Sequence, residues 1–311
     1  MVLCRVALCL AALLFSVAMP LPGRARTLQV GQGLPLALPS QAAALAADGD
    51  RIEIAPGTYA DCAVWRANHL TIAATGPGVI IRDRICQGKA LFVTAGADIT
   101  IEGIIFAHAQ TAEGNAAGIR AEGDNLTVRS SQFLDSQEGI LAGGSARSAV
   151  RISDSRFVRD GACIGACAHG VYAGRPIGLL RVERSVFSDI RTAHHIKSRA
   201  LRTELVGNRI TDGPTGTSSY LVDVPEGGDL VMQDNVMEKG PQSSNLRTAI
   251  AIGAEGVTHP THELRIEGTH FTSDVPGGTV FVSNRTTTPA ILRGNVLQGR
   301  AVALEGPGTV Q

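Results

Sequence analysis

Apolar and polar residues alternate along most of this chain, in short runs that return at a near-constant interval. The runs are 99–106, 126–133, 150–157, 180–187, 205–210, 230–237, 264–271 and 291–297. Alternation with period two predicts strands that bury one face. The closing apolar positions are 106, 133, 157, 187, 210, 237, 271 and 297, and two residues before most of them stands Ser131, Ser155, Ser185, Asn208, Asn235, Thr269 or Asn295. A second short strand follows in each unit, as in 118–120, 139–141, 170–172, 195–197 and 220–224. A unit of about 25 residues holding two or three short strands cannot bury its apolar side alone, whereas a stack of such units can. The expected fold is therefore all-β, a solenoid of roughly ten coils, with the Ser/Asn/Thr column as a polar ladder at a bend. Ahead of it, 40–49 predicts an N-terminal capping helix with Ser40 as its cap and Gly49 as its stop. Such a helix would cover the unpaired strand edges at the open amino end.

Residues 1–25 are set apart from this pattern. Arg5, the apolar run 6–19, Pro20, Pro22 and the small residues up to Ala25 predict a secretory signal peptide cleaved after Ala25. An uncleaved anchor is the alternative, although the run is shorter than the ~20 residues of a membrane span. Residues 26–311 then form one elongated domain, secreted or periplasmic. Four cysteines remain in it: Cys62, Cys86, Cys163 and Cys167. An even count in an exported protein reads as disulfides with three possible pairings. Spacing favours Cys62 with Cys86 and Cys163 with Cys167; metal binding is the alternative. Cys62 and Cys86 lie one coil apart, and a strand spacing of about 4.8 Å suits a disulfide.

Composition narrows the partners. The chain carries 28 basic and 28 acidic side chains, which argues against a nucleic-acid binder. Apolar residues make up 44%, enough for a large core, while aromatics are 4% and glycines number 36, so the core is narrow and the turns many.

The segment Thr27-Leu-Gln-Val-Gly31, the Ala-rich helix, Asp48-Gly-Asp-Arg-Ile-Glu-Ile-Ala-Pro-Gly-Thr-Tyr59 and the later coils resemble secreted proteins of the pectate-lyase-like superfamily. The resemblance runs from residue 27 to about 305. It implies a single-stranded right-handed parallel β-helix. That superfamily holds lyases, glycosidases, esterases, C5-epimerases, adhesins and tailspikes, so the fold does not choose a reaction.

One second strand differs from the rest: Ala193-His-His-Ile-Lys-Ser-Arg199. With Ile196 inward, His195 and Lys197 point outward. In the coil before, Val171 inward turns Tyr172 outward. In the coil after, Val222 and Val224 inward turn Asp223 outward. Tyr172, Lys197 and Asp223 then form a column on one face, whereas a one-residue slip would expose Tyr220 and Val222 instead. Lysine is scarce here, with Lys89, Lys197 and Lys239 against 25 arginines. Lysine can act as a base where arginine cannot. A surface lysine merely paired with Asp223 is the other reading.

Ile196-Lys197-Ser198 followed by Gly207-Asn208-Arg209-Ile210 is also similar to a Lys-Ser and Gly-Asn pattern of the alginate-lyase and chondroitinase-B-like family. There the lysine removes the C5 proton of a uronic acid, an arginine on the next coil completes the site, and an acidic pair helps bind calcium. Only Lys197 carries over. Residues 218–223 stand where the arginine is expected, and Ile190 and Thr192 stand near the acidic pair, so calcium stays an open possibility.

β-Elimination needs a base at C5, a positive charge for the enolate and an acid for the leaving oxygen. Lys197 is the expected base if its neighbours lower its pKa, whereas an ionised Asp223 one strand away would raise it and counts against that role. Tyr172 or Tyr220 is the expected acid, or the base in its place. Arg175 and Arg199 are expected to neutralise a substrate carboxylate. His194 and His195 have a resting pKa suited to proton transfer, and serve otherwise as hydrogen-bond donors or packing. Cys163–Cys167 is expected to tighten a loop beside His169, forming one wall of a cleft and making His169 a substrate contact. His259-Pro-Thr-His262 resembles half a metal site without a third ligand, and reads as an inserted loop flanking the groove. The sequence therefore points to an enzyme acting on an acidic polysaccharide, a lyase first. The alternatives are a hydrolase using Asp223 with Asp189, Asp212 or Glu226, a C5-epimerase, and a non-catalytic binding or structural β-helix.

Overall fold

The computed structural model of this protein describes residues 25–174 and 177–311. The expected signal segment, Ala25 excepted, and the expected carboxylate partner Arg175 lie outside the described residues.

The chain is an all-β parallel β-helix, as the resemblance to pectate-lyase-like proteins implies. Its strands form one sheet of twelve and two sheets of ten, and neighbours within each sheet come from successive coils. Twelve strands in the first sheet correspond to about 11 turns, one more than the repeat count predicts. One coil shows the plan. Leu126–Arg129 lies in the twelve-stranded sheet, Gln132–Leu134 in the second sheet and Glu138–Ala142 in the third. The corner between the first two is turned by a single residue with positive φ, Ser130 here and Asp154, Arg184, Gly207 and Asp234 in later coils.

The ladder expected at this corner is present. Ser131 N–H donates to Ser155 Oγ at 3.2 Å, Ser155 N–H to Ser185 Oγ at 3.2 Å, and Ser185 N–H to Asn208 Oδ1 at 3.0 Å. Asn208 N–H continues to Asn235 Oδ1 at 2.9 Å. Each short polar side chain thus satisfies a backbone donor of the coil before it that no strand can reach. Inside, parallel in-register pairing places like side chains over like. Phe106, Phe133, Phe157 and Phe187 stack at ring separations of 5.2, 4.6 and 4.5 Å.

Among the described residues the one helix is Pro39–Leu45. It begins ahead of Ser40, which is a helical residue and not the cap. The first-turn acceptor is Gln41, whose Oε1 takes the N–H groups of Ala37 and Leu38. Pro39 leads because its missing N–H costs nothing in the first turn. Ala42 is fully buried, and the helix packs on the strands Ala63–Trp65 and Thr27–Val30.

Both favoured disulfides are formed. Cys62 and Cys86 join successive coils across a Cα separation of 5.5 Å. Cys163 and Cys167 close a two-stranded antiparallel hairpin that precedes His169. Among the described residues no helix is long and apolar enough to cross a membrane.

Candidate active site

The third sheet presents an outward column in which Leu141 pairs with Tyr172, Tyr172 with Lys197, Lys197 with Asp223, and Asp223 with Ala251. Ile196 and Val222 are fully buried beneath it, so the register needs no slip. Lys197 leaves the core on this outer face, yet it is only 8% exposed. What covers it comes from 58 residues further on. Glu255 Oε1 accepts from Lys197 Nζ at 2.6 Å, and Glu255 Oε2 accepts from Arg199 Nη2 at 2.5 Å. Arg199 also donates through Nε to Tyr172 Oη at 3.0 Å and through Nη1 to Glu226. Lys197 Nζ lies 3.4 Å from Asp223 Oδ2 and 5.8 Å from the centre of the Tyr172 ring.

The acidic members differ in protonation. Asp223 is 2% exposed and its Oδ1 has no hydrogen-bond partner among the described residues. Burial pushes its pKa up to about 6, against the pull of Lys197 and with a further push from Glu255. Glu255 is pushed up by partial burial, but the hydrogen bonds from Lys197 and Arg199 outweigh this and hold it below the usual range. Burial also works against the Arg199 charge, and the bonds to Tyr172 and Glu255 overcome it, leaving its pKa raised.

A second column stands at the edge of the sheet, two residues before each inward apolar position. It runs through His169, His194 and Tyr220. The rings of His169 and His194 stack at 4.9 Å, and those of His194 and Tyr220 at 5.0 Å. His194 N–H donates to His169 Nδ1 at 3.2 Å, and Tyr220 N–H donates to His194 Nδ1 at 3.1 Å. A ring nitrogen that accepts a backbone N–H leaves the proton on Nε2, so both imidazoles are neutral. Burial first, then the charge of Lys197, lowers His194 to about 3. Burial likewise holds His169 well below its ordinary value. These are ordered donors and stacking partners, and the proton-transfer role expected for His194 is not supported. His169 is 2% exposed and stands edge-on to the Tyr172 ring at 4.9 Å, so it supports that ring from behind. It does not line the groove as expected. Tyr220 belongs to the edge column, where it stacks on His194.

His195 is the clearest correction. It was expected outward, and it is completely buried. Its Nε2 lies 2.8 Å from Asp212 Oδ1, which also accepts from Ser218 Oγ at 2.5 Å. Asp212 Oδ2 accepts from Ser243 Oγ at 2.7 Å and lies 3.7 Å from Lys239 Nζ. Strict alternation starts only at Ile196, because Thr192 and Ala193 both have positive φ and turn the chain just before it. Space decides the rest. In the coils before, the matching position is Gly139 or Gly170, where a Cβ would first meet a backbone oxygen of the next coil, Gly170 O at 2.4 Å or His195 O at 2.6 Å, and at Gly139 also the Phe157 ring at 2.7 Å. The stack ends at Phe187, and Ile210 takes the next place.

An open groove of about 890 Å³ adjoins Tyr172 on the amino-terminal side, lined also by Arg120, Glu122, Leu141, Ser145 and Gly174. A Cβ at Gly174 would come within 3.2 Å of Leu141 and 3.4 Å of the Tyr172 ring. Glycine there keeps the groove open and the phenol where it is. His259 and His262 do not converge. His259 Nε2 lies 3.5 Å from Glu226, while His262 is exposed beside Asp229. Ile190 is buried and Thr192 Oγ1 donates to Arg191 O at 2.7 Å, so the donors at the place of the calcium-binding pair do not fit a calcium ion. Sequence reasoning missed Glu255 and Glu226 as partners of Arg199. The long repeat that holds Glu255 was the one available signal.

No protein-family model matches the chain, and no curated protein matches it either. Solved structures with a similar course exist. Pectin methylesterase PemA from Erwinia chrysanthemi has a TM-score of 0.49 at 11% identity, over 71% of this chain and 81% of that one. The alginate lyase from Paenibacillus sp. str. FPU-7 has a TM-score of 0.47 at 16% identity, over 89% and 99%. PfbA, a surface adhesin of Streptococcus pneumoniae, has a TM-score of 0.49 at 10% identity, over 85% and 87%. An esterase, a lyase and an adhesin stand side by side here, and no activity passes from them to this chain.

Proposed function

We propose that the protein is an exported enzyme that cleaves an acidic, uronate-containing polysaccharide by β-elimination. The observation that carries this reading is Tyr172, which lines the open groove while its hydroxyl accepts from Arg199, itself one side chain from Lys197. The glycan lies in the groove with one uronate at the Tyr172 end. Lys197 and Arg199 face its carboxylate and stabilise the charge that develops when the C5 proton leaves. Tyr172 Oη, held by Arg199, gives up its own proton to solvent, takes the C5 proton and returns it to O4 as the C4–O4 bond breaks and the 4,5 double bond forms. Lys197 thus acts as counter-charge, between Asp223 and Glu255, in place of the base role expected from sequence. The two disulfides support an oxidising compartment, outside the cell or in the periplasm. The helix Pro39–Leu45 is taken as the cover of the amino end, and residues 1–25 as the export signal.

The test is incubation of the purified protein with polyuronates, following the ultraviolet absorbance of a 4,5-unsaturated uronate. We expect a signal that the Tyr172→Phe variant loses. Absence of both absorbance and new reducing ends would replace the reading with a binding protein.

One observation favours a second reading. Asp223 and Glu255 meet the same Lys197 ammonium with pKa values pushed in opposite directions, the pattern of an acid and a base in hydrolysis. The burial of Asp223 stands against it. New reducing ends without absorbance would establish it.

A further inference from the structure

Glu255 holds its place unequally with its partners. Its side chain is 45% exposed, whereas those of Lys197 and Arg199 are 10% and 17% exposed. Its two oxygens are gripped by two different cations, at 2.6 and 2.5 Å. Each cation also has a partner other than Glu255. Arg199 is held on its other sides by Tyr172 and Glu226, and Lys197 by Asp223. The backbone is anchored separately, through Glu255 N–H to Pro225 O at 2.9 Å and Gly253 N–H to Val224 O at 2.8 Å. The carboxylate can therefore swing into solvent while the loop and both cations stay in place. What it would leave is a pit with two fixed positive groups at its base, at the end of the groove beside Tyr172.

We propose that Glu255 is an internal stand-in for a substrate carboxylate. Lys197 Nζ and Arg199 Nη2 form a subsite for one carboxylate group, and an incoming uronate occupies it by displacing Glu255. This rests on the reading of the groove as a site for acidic glycans, and it adds a selection rule. A free acid carries the charge needed to displace Glu255, and a methyl-esterified sugar does not.

The experiment compares the full chain and its Glu255→Gln variant, at fixed low ionic strength. Two probes are titrated: D-glucuronate, followed by NMR on the arginine side-chain signals, and an oligouronate with its methyl-esterified counterpart, followed by calorimetry. Glutamine keeps the shape at a half-exposed position, and a thermal melt of each variant verifies the fold. We expect Glu255→Gln to bind free-acid probes about tenfold or more tightly, one decade being 1.4 kcal/mol, with the ester unchanged. Adding Arg199→Gln to that variant removes the gain. Free-acid affinity that is unchanged or weaker in Glu255→Gln overturns the proposal. Glucuronate keeps the two possible failures apart. A variant that gains glucuronate while no oligouronate binds retains the carboxylate subsite and loses the polysaccharide reading. A wild type that cleaves polyuronate while the variant gains nothing does the reverse.

Discussion

Arg199 Nε donates to Tyr172 Oη at 3.0 Å across neighbouring coils, at the point where the charged column meets the open groove. The bond orients a phenol lone pair toward a guanidinium and leaves the ring edge to the groove. Removing the hydroxyl removes the proposed proton carrier and the acceptor of Arg199 Nε, while Glu226 and Glu255 still hold the guanidinium and the ring packing on His169 is kept. Tyr172→Phe is expected to lower kcat by about 10²–10⁴-fold, the scale of general acid–base catalysis, with a small change in KM. Steady-state kinetics on the preferred polyuronate checks this, and a loss confined to KM would remove Tyr172 from the chemistry.

Lys197 is held by Asp223 and Glu255 and is nearly buried. Lys197→Met leaves Asp223 without its cation in a dry site. The expected cost is about 1–3 kcal/mol of stability, limited because Asp223 can take up a proton. Denaturant unfolding at pH 5 and pH 8 reads it, with the larger loss expected at pH 8, where Asp223 must stay charged.

Asp223 also sets a pH dependence. Its pKa is raised in the folded state to about 6. Its stabilising contribution is therefore complete below the unfolded value and is lost as pH rises through 6. Binding follows the same sign. Above pH 6 the carboxylate competes for Lys197 and repels an anionic sugar. Affinity for free-acid oligouronates is expected to fall as pH rises from 5 to 7, and this limb is expected to vanish in Asp223→Asn. A limb that persists in that variant would assign the titration elsewhere.

The His195–Asp212–Lys239 cluster is fully buried and turned away from the groove. Burial works against the Asp212 charge, and the hydrogen bonds and charge of His195, with Lys239, hold its pKa well below the ordinary value. Burial lowers Lys239 to about 8, despite Asp212. Asp212→Asn leaves the buried Lys239 ammonium without its counter-charge and His195 Nε2 without its carboxylate partner, at an expected cost of about 3–5 kcal/mol. Chemical denaturation measures this, while kcat of the folded fraction stays near wild type. A selective loss of kcat with unchanged stability would make the cluster part of the site.

Much of the column was legible before any coordinates, because period two is a strong constraint. Once Val171, Ile196 and Val222 must face inward, Tyr172, Lys197 and Asp223 must share the other face, and the paired strands bear out that register. The same rule failed at His195, one residue outside the strand, where positive φ at Thr192 and Ala193 turns the chain. Alternation holds only where the backbone is extended.

By itself the sequence determined the coil and the ladder of Ser, Asn and Thr, and it favoured the pairing of both disulfides and the column around Lys197. Each of these depends on local spacing repeated from coil to coil, which a solenoid converts directly into contacts. The tertiary structure alone decided what stands against Lys197 and Arg199. Glu255 reaches them from an inserted loop two coils on, which obeys no repeat. It alone also decided that His195 turns inward, because the turn at Thr192 and Ala193 places that residue outside the alternation of the strand. Volume and long-range charge have no period along a chain, so they become visible only when it is wound.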